Sequence, residues 1–157
     1  MLKKGDSAPQ FSLDSLSGNK ISLGDYVGKW VIVYFYPKDS TPGCILQAIN
    51  FSCLYPEFQA LGVDIIGING DSIESHQKFA TKNKLEVILL SDTEKSTLSA
   101  YKVWGEKTFM GTVYEGLTRS TFIINPEGII EEAMYNVKAK DHGTRVLRIL
   151  KQLLGAK

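Results

Sequence analysis

Short apolar runs alternate along this chain with longer segments whose apolar residues recur at helical spacing, the pattern of an α/β fold. The strongest run is Trp30-Val-Ile-Val-Tyr-Phe-Tyr36, β-branched and aromatic throughout. Its lack of polar alternation predicts a central strand buried on both faces, ended by Pro37. From about Gly43, residues 44, 48, 51, 55 and 58 (Cys, Ala, Phe, Tyr, Phe) fall on one face and predict a helix. Pro56 lacks the N–H that would bond the carbonyl of Ser52 and disfavours α geometry at Tyr55, so a kink or break is expected there.

Gly62 leads into a second buried strand, Val63 to Asn69. Asp71 or Ser72 is a candidate cap for a helix running through His76, Phe79 and Ala80 to about Asn83, with His76 on its exposed side. Val87 to Leu90 reads as a third strand and Glu94 to Tyr101 as a short helix. Ser120–Ile124 and Ile129–Tyr135 form a predicted hairpin around Asn125-Pro-Glu-Gly128. A last helix is expected from Asp141, its cap, to Leu154, with Val146, Ile149, Leu150 and Leu153 inward. Residues 11–23 add a small hairpin around Ser17-Gly18-Asn19. The fold class is therefore α/β, a mixed central sheet flanked by helices on both sides. With no repeat or linker-like stretch, residues 1–157 are expected to form one domain.

Composition narrows the function. The 157 residues carry 18 Lys and Arg against 17 Asp and Glu, a formal net charge of +1. That balance, with no basic run, gives no electrostatic footprint for nucleic acid or an anionic membrane. The first residues lack the apolar stretch of a secretory signal, and no segment is apolar enough to span a bilayer. Two cysteines, Cys44 and Cys53, are too few for a disulfide scaffold. The expected compartment is the cytoplasm.

The chemistry concentrates after the buried strand, in Pro37-Lys-Asp-Ser-Thr41-Pro-Gly-Cys44. A sharp loop leaves a rigid strand and delivers a cysteine to the first turn of a helix. There the free N–H groups and the positive helix end favour an anion, hence the nucleophilic thiolate. The Thr41 hydroxyl, three residues earlier, is placed to reach the sulfur or an oxygen beside it, and Pro42 to shield it from water. Taken alone, Cys44 also fits a small buried hydrophobe.

The full Pro-x-x-x-Thr-x-x-Cys pattern from Pro37 to Cys44 resembles the peroxiredoxins around their peroxidatic cysteine. Tyr34-Phe-Tyr-Pro-Lys-Asp-Ser-Thr-Pro-Gly-Cys44 is similar to one branch, the bacterioferritin comigratory protein or peroxiredoxin Q group. Gly5-Asp-Ser-Ala-Pro-Gln-Phe11, Ser75-His-Gln-Lys-Phe79, Leu89-Leu-Ser-Asp92, Tyr101-Lys-Val-Trp-Gly-Glu106 and Arg119-Ser-Thr-Phe-Ile-Ile-Asn-Pro-Glu-Gly128 continue the resemblance over nearly the whole chain. It implies a thioredoxin-like fold and attack of the Cys44 thiolate on hydrogen peroxide or an organic hydroperoxide, leaving a sulfenic acid. Arg119 matches the family's active-site arginine, suited to stabilise the thiolate and polarise the peroxide. The backbone N–H groups of Gly43 and Cys44 are candidate donors to the peroxide oxygens, oriented with Thr41.

The chain departs from its branch after the cysteine. Many members read Pro-Gly-Cys-Thr-x-Glu-x-Cys, whereas here Cys44 is followed by Ile-Leu-Gln-Ala-Ile49. Ile49 occupies the resolving position, and Ile45 and Gln47 replace the Thr and Glu on which a side-chain network would rest. No cysteine occupies residues 72–83, where other members carry one. Cys53 is the remaining intramolecular candidate, but nine residues along a helix mean about 13.5 Å of rise and about 900° of rotation. A disulfide needs Cα atoms about 4.4–6.8 Å apart, so local unwinding would be required, eased by Pro56. Otherwise Cys53 is a core or half-buried helix residue, and an external thiol reduces the sulfenic acid.

His76 and His142 lack a second ligand at metal spacing, so no metal is expected. The reading is a peroxidase without metal, haem or flavin. Its partners are a peroxide and thioredoxin or another dithiol, and its state a monomer or weak homodimer. Two other classes fit the same cysteine. A thiol-disulfide oxidoreductase is disfavoured by the absence of Cys-x-x-Cys. A peroxide sensor that signals to a protein partner is kept open by Ile45, Gln47 and Ile49.

Overall fold

The structure is a computed structural model that describes residues 1–155; the last two residues of the expected domain lie outside the described residues. In chain order it has β1 (Ser12–Ser15), β2 (Lys20–Ser22), β3 (Trp30–Phe35), α1 (Pro42–Ala60), β4 (Val63–Asn69), α2 (Ile73–Asn83) and β5 (Ile88–Ser91). There follow α3 (Ser96–Ala100), β6 (Trp104–Phe109), β7 (Thr112–Leu117), β8 (Ser120–Ile124), β9 (Ile130–Met134) and α4 (His142–Leu153). Seven strands form one sheet in the order β2-β1-β5-β4-β3-β8-β9. β3 pairs parallel with β4 and antiparallel with β8, and β4 pairs parallel with β5.

The unbroken apolar run of β3 has the position it implies. Ile32, Tyr34 and Tyr36 face one core with Cys44, Phe51 and Phe58 of α1, Phe79 of α2 and Val146 and Leu150 of α4. Val31, Val33 and Phe35 face a second core with Phe11, Leu98 of α3, Tyr101 and Phe122. Helices thus cover both faces, and burying each large side chain stabilises the fold by about 1.5–3 kcal/mol. Tyr34 also explains a glycine in β4. A Cβ at Gly67 would lie 2.7 Å from Tyr34 Cζ, so only a residue without a side chain lets the ring lie across the neighbouring strand.

Four local expectations are corrected. Pro56 lies inside α1, which continues unbroken to Ala60. The proline is on the exposed side, so the Ser52 carbonyl it leaves free is open to water, while Phe51, Tyr55 and Phe58 hold the other face to the sheet. Asp141 stands at the N-cap of α4 but has φ 55° and makes no side-chain cap bond. His76, expected on the exposed side, is fully buried. Cys53, expected in or near the core, is exposed, because it lies opposite the Cys44 face of α1.

Ser72 caps α2 by accepting from Ser75 N at 3.1 Å. The hairpin β6–β7 has no counterpart in the sequence reading. Its strands leave the sheet with much of β7 exposed, so no buried face imposes alternation on them. The available signal was the tight turn Met110-Gly111, both residues with positive φ, before the β-forming Thr112-Val-Tyr114. No helix among the described residues is long and apolar enough to cross a membrane.

Candidate active site

The sulfur is placed by the junction of β3 and α1. After Phe35 the chain turns through residues 36–41, with Ser40 in the left-handed region at φ 63°, and enters the helix at Pro42. Proline suits a first helical turn, where an N–H would lack an acceptor. Thr41 is the N-cap with extended backbone, and its carbonyl accepts the first helical bond, from Ile45 N at 2.9 Å. The N–H groups of Gly43 and Cys44 precede that bond and have no acceptor within the helix. They form part of the positive end of the helix dipole, in the turn that carries Cys44.

Thr41 makes no side-chain cap bond. Its hydroxyl donates to the Lys38 carbonyl at 2.9 Å, which fixes the oxygen and leaves its lone pairs as acceptors for a peroxide hydrogen. Pro37 begins this turn. Cys44 itself is 1% exposed.

Arg119 stands just before β8, the strand next to β3. Ser120 pairs with Phe35 at the end of β3, so the residue before it emerges level with the loop. The Arg119 carbonyl accepts from Val137 N at 2.9 Å, pinning the backbone. One guanidinium nitrogen, Nη2, donates to Cys44 Sγ at 3.4 Å, and Nη1 donates to Gln47 Oε1 at 2.5 Å. Gly43 makes room for this approach. A Cβ there would sit 3.2 Å from Arg119 Nη2 and 3.7 Å from the Ala139 side chain.

Cys44 and Gly43 thus lie against Arg119, and Thr41 stands at the N-cap of the same helix. Cys53 is not brought to Cys44, since α1 is continuous through both cysteines. Sequence reasoning named Gln47 only as a departure that put a side-chain network in doubt, and did not foresee its bond to Arg119. It lies one turn after Cys44 on the same helix face, is 0% exposed, and orients the arginine through a neutral oxygen. The i, i+3 spacing from Cys44 was the available signal.

The neutrality of Gln47 has a measurable effect. A carboxylate there would compete with the thiolate for the same guanidinium charge. Gln47→Glu should therefore lower the fraction of Cys44 present as thiolate and slow its alkylation by iodoacetamide near neutral pH several-fold. Thiolate absorbance and alkylation rates check this; an unchanged or faster rate would show that Gln47 only fills space.

Behind the site, His142 Nε2 lies 2.8 Å from Thr121 Oγ1, and burial, then the nearby charges of Arg145 and Arg119, lower its pKa from 6.5 to about 4. The unfolded chain therefore binds a proton between those values that the folded one does not. Stability from this group is complete above pH 6.5 and is lost as pH falls toward 4. Urea unfolding should show about 2 kcal/mol lost between pH 7 and pH 5. His142→Asn should remove that part of the slope; equal slopes in both proteins would contradict it.

No group of three or more His, Cys, Asp or Glu among the described residues is placed to hold a metal ion. The site offers a buried sulfur, a guanidinium and free backbone donors, the set needed for nucleophilic attack on an oxygen whose leaving partner gains charge.

Comparison with known proteins agrees with this geometry. Residues 4–133 match the AhpC/TSA family. A Bcp protein of Helicobacter pylori is 46% identical over 149 residues, covering 95% of this chain and 98% of the relative. Peroxiredoxin Bcp of Escherichia coli is 42% identical over 151 residues, covering 96% and 97%. The solved structure of the Xanthomonas campestris bacterioferritin comigratory protein superposes with a TM-score of 0.87 at 37% identity, covering 94% of this chain and 92% of that one. The thioredoxin-like fold is common to both. Buried thiol, arginine, sheet order and sequence likeness lead to one placement: the chain belongs to the AhpC/TSA family of peroxiredoxins, in the bacterioferritin comigratory protein or peroxiredoxin Q branch.

Proposed function

We propose that Cys44 is the peroxidatic centre of a thiol peroxidase that reduces hydrogen peroxide and organic hydroperoxides. The observation that carries this is the Arg119 guanidinium on the sulfur, 3.4 Å away, at a helix start with two free N–H groups. The thiolate attacks one peroxide oxygen, so an S–O bond forms as the O–O bond breaks. The departing oxygen takes a proton and leaves as water or an alcohol, and Cys44 becomes a sulfenic acid. Charge develops on the oxygens during this step, where Arg119 and the N–H groups of Gly43 and Cys44 donate. Thr41 accepts the hydrogen of the bound peroxide. The alkyl peroxide reduction activity of the Xanthomonas campestris protein supports including organic hydroperoxides.

The reductant is a thiol from outside the chain. It attacks the sulfenic sulfur, releases water and forms a mixed disulfide, which a second thiol then breaks to return Cys44. The continuity of α1 supports this one-cysteine cycle, because a Cys44–Cys53 bond would require unwinding more than two helical turns. A dithiol of the thioredoxin kind supplies both thiols and suits a cytoplasmic setting. We further take the chain to be one domain acting as a monomer or weak homodimer.

Stopped-flow mixing of reduced protein with hydrogen peroxide and with an alkyl hydroperoxide tests the reading. About one equivalent should be consumed per chain without reductant, with continued turnover when dithiothreitol or thioredoxin is supplied. Cys53→Ser should turn over at the wild-type rate; no consumption by the wild-type protein would refute the assignment.

A further inference from the structure

The loop that presents Cys44 is tied down by a buried polar cluster that makes no hydrogen bond to the sulfur. Asp39 lies two residues before Thr41 and is buried. Its Oδ1 accepts from Tyr36 Oη at 2.7 Å and Asn69 Nδ2 at 3.3 Å. Its Oδ2 accepts from Ser75 Oγ at 2.7 Å and lies 2.6 Å from His76 Nδ1. The other nitrogen of His76, Nε2, lies 2.9 Å from the carbonyl oxygen of Leu90 in β5. His76 is 0% exposed, so water reaches neither nitrogen.

Leu90 O is an acceptor only, so Nε2 donates to it as an N–H. Asp39 already receives three other donors, which favours its charged form. A second carboxylate stands nearby. Asp71 Oδ2 accepts from Asp39 N at 2.7 Å and from the same Asn69 amide at 3.2 Å. Among the described residues, His76 is the one basic side chain within ion-pair distance of either carboxylate. The ring bridges the active-site loop to the sheet. Burial works against the Asp39 charge, yet the bonds from His76, Tyr36 and Ser75 hold its pKa below the usual carboxylate value.

The loop needs such an anchor. Ser40 sits at φ 63°, in the left-handed region that is unfavourable for an L-residue. Asp39, just before it, is held from three sides, by α2, by Tyr36 just after β3, and by Asn69 and Asp71 at the end of β4. Relaxing that hold would let Ser40 return to ordinary backbone geometry and move Thr41 and the N–H groups of Gly43 and Cys44.

We propose that His76, clamped between the Asp39 carboxylate and the Leu90 carbonyl, is a positioning residue for peroxide reduction at Cys44. This rests on the reading of Cys44 given above. His76 touches neither sulfur nor peroxide; it holds the loop in the geometry in which its donors face the bound oxygens.

His76→Gln keeps a polar side chain but not the ring that spans Asp39 and Leu90. Its rate of sulfenic acid formation with hydrogen peroxide should fall at least tenfold in single turnover, measured well below its melting temperature. Alkylation of the same Cys44 by iodoacetamide, which needs the thiolate but not the peroxide-binding donors, should change less than threefold. A purely structural role would lower the melting temperature and leave the ratio of the two rates where it was. Ser75→Ala removes one donor to Asp39 and keeps His76, so it should shift the ratio in the same direction by a smaller factor. That variant serves if His76→Gln does not fold. Folded variants with the wild-type ratio would overturn the proposal. Wild-type protein whose Cys44 is not oxidised by peroxide would overturn the reading of Cys44 itself, and this proposal with it.

Discussion

Cys44→Ser should reduce peroxide consumption to the uncatalysed background. A serine hydroxyl at the same helix start is not ionised near neutral pH, and it cannot pass through a sulfenic acid. No other group replaces it: the second thiol, Cys53, is exposed on the opposite face of α1, away from Arg119 and the free N–H groups. The fold should survive, because the change removes no volume-filling group from the core around Phe51 and Tyr34. Peroxide loss in the presence of dithiothreitol, with circular dichroism to confirm folding, measures this. A variant that keeps a tenth or more of wild-type turnover would contradict it.

The second large effect belongs to Arg119. Arg119→Met should slow oxidation of Cys44 by about 10²–10³-fold, the range seen when one preorganised donor to a developing charge is removed. The guanidinium bonds Cys44 Sγ and Gln47 Oε1 at once, so it is held in place before any peroxide arrives. Arg119→Lys keeps the charge but loses the planar fork, and should fall between wild type and methionine. Removing the arginine also strands the buried Gln47 oxygen, at a cost of about 1–3 kcal/mol in stability. Rates should therefore be taken well below the melting temperature. A methionine variant within threefold of wild type would remove Arg119 from the mechanism.

How much of this was readable in the sequence depended on burial. The run Trp30–Tyr36 and the face Cys44, Ala48, Phe51, Tyr55, Phe58 were legible because a core on one or both sides enforces their pattern. The β6–β7 hairpin was not, because its strands answer to no core. Pro56 misled for a related reason. Local geometry argues for a break, but packing of Tyr55 and Phe58 on one side and water on the other carry the helix through.

The site divides in the same way. Pro37, Thr41 and Cys44 were picked out because their order along the chain forms a pattern, and Arg119 because its segment resembles the family's. Gln47 and His76 act through contacts that only folding creates. Gln47 meets an arginine 72 residues away, and His76 meets an aspartate 37 residues earlier. Helical spacing alone suggested that His76 faced water, and the buried aspartate that makes an inward histidine favourable lies on another element.

Mass spectrometry of the reduced protein after one equivalent of hydrogen peroxide, under non-reducing conditions and with a sulfenic acid trap, bears most directly on the central claim. The expected result is a gain of one oxygen on the Cys44 peptide, captured by the trap, in a monomer with Cys53 still a free thiol. A chain that takes up no oxygen at Cys44, or is oxidised only at Cys53, would contradict the account.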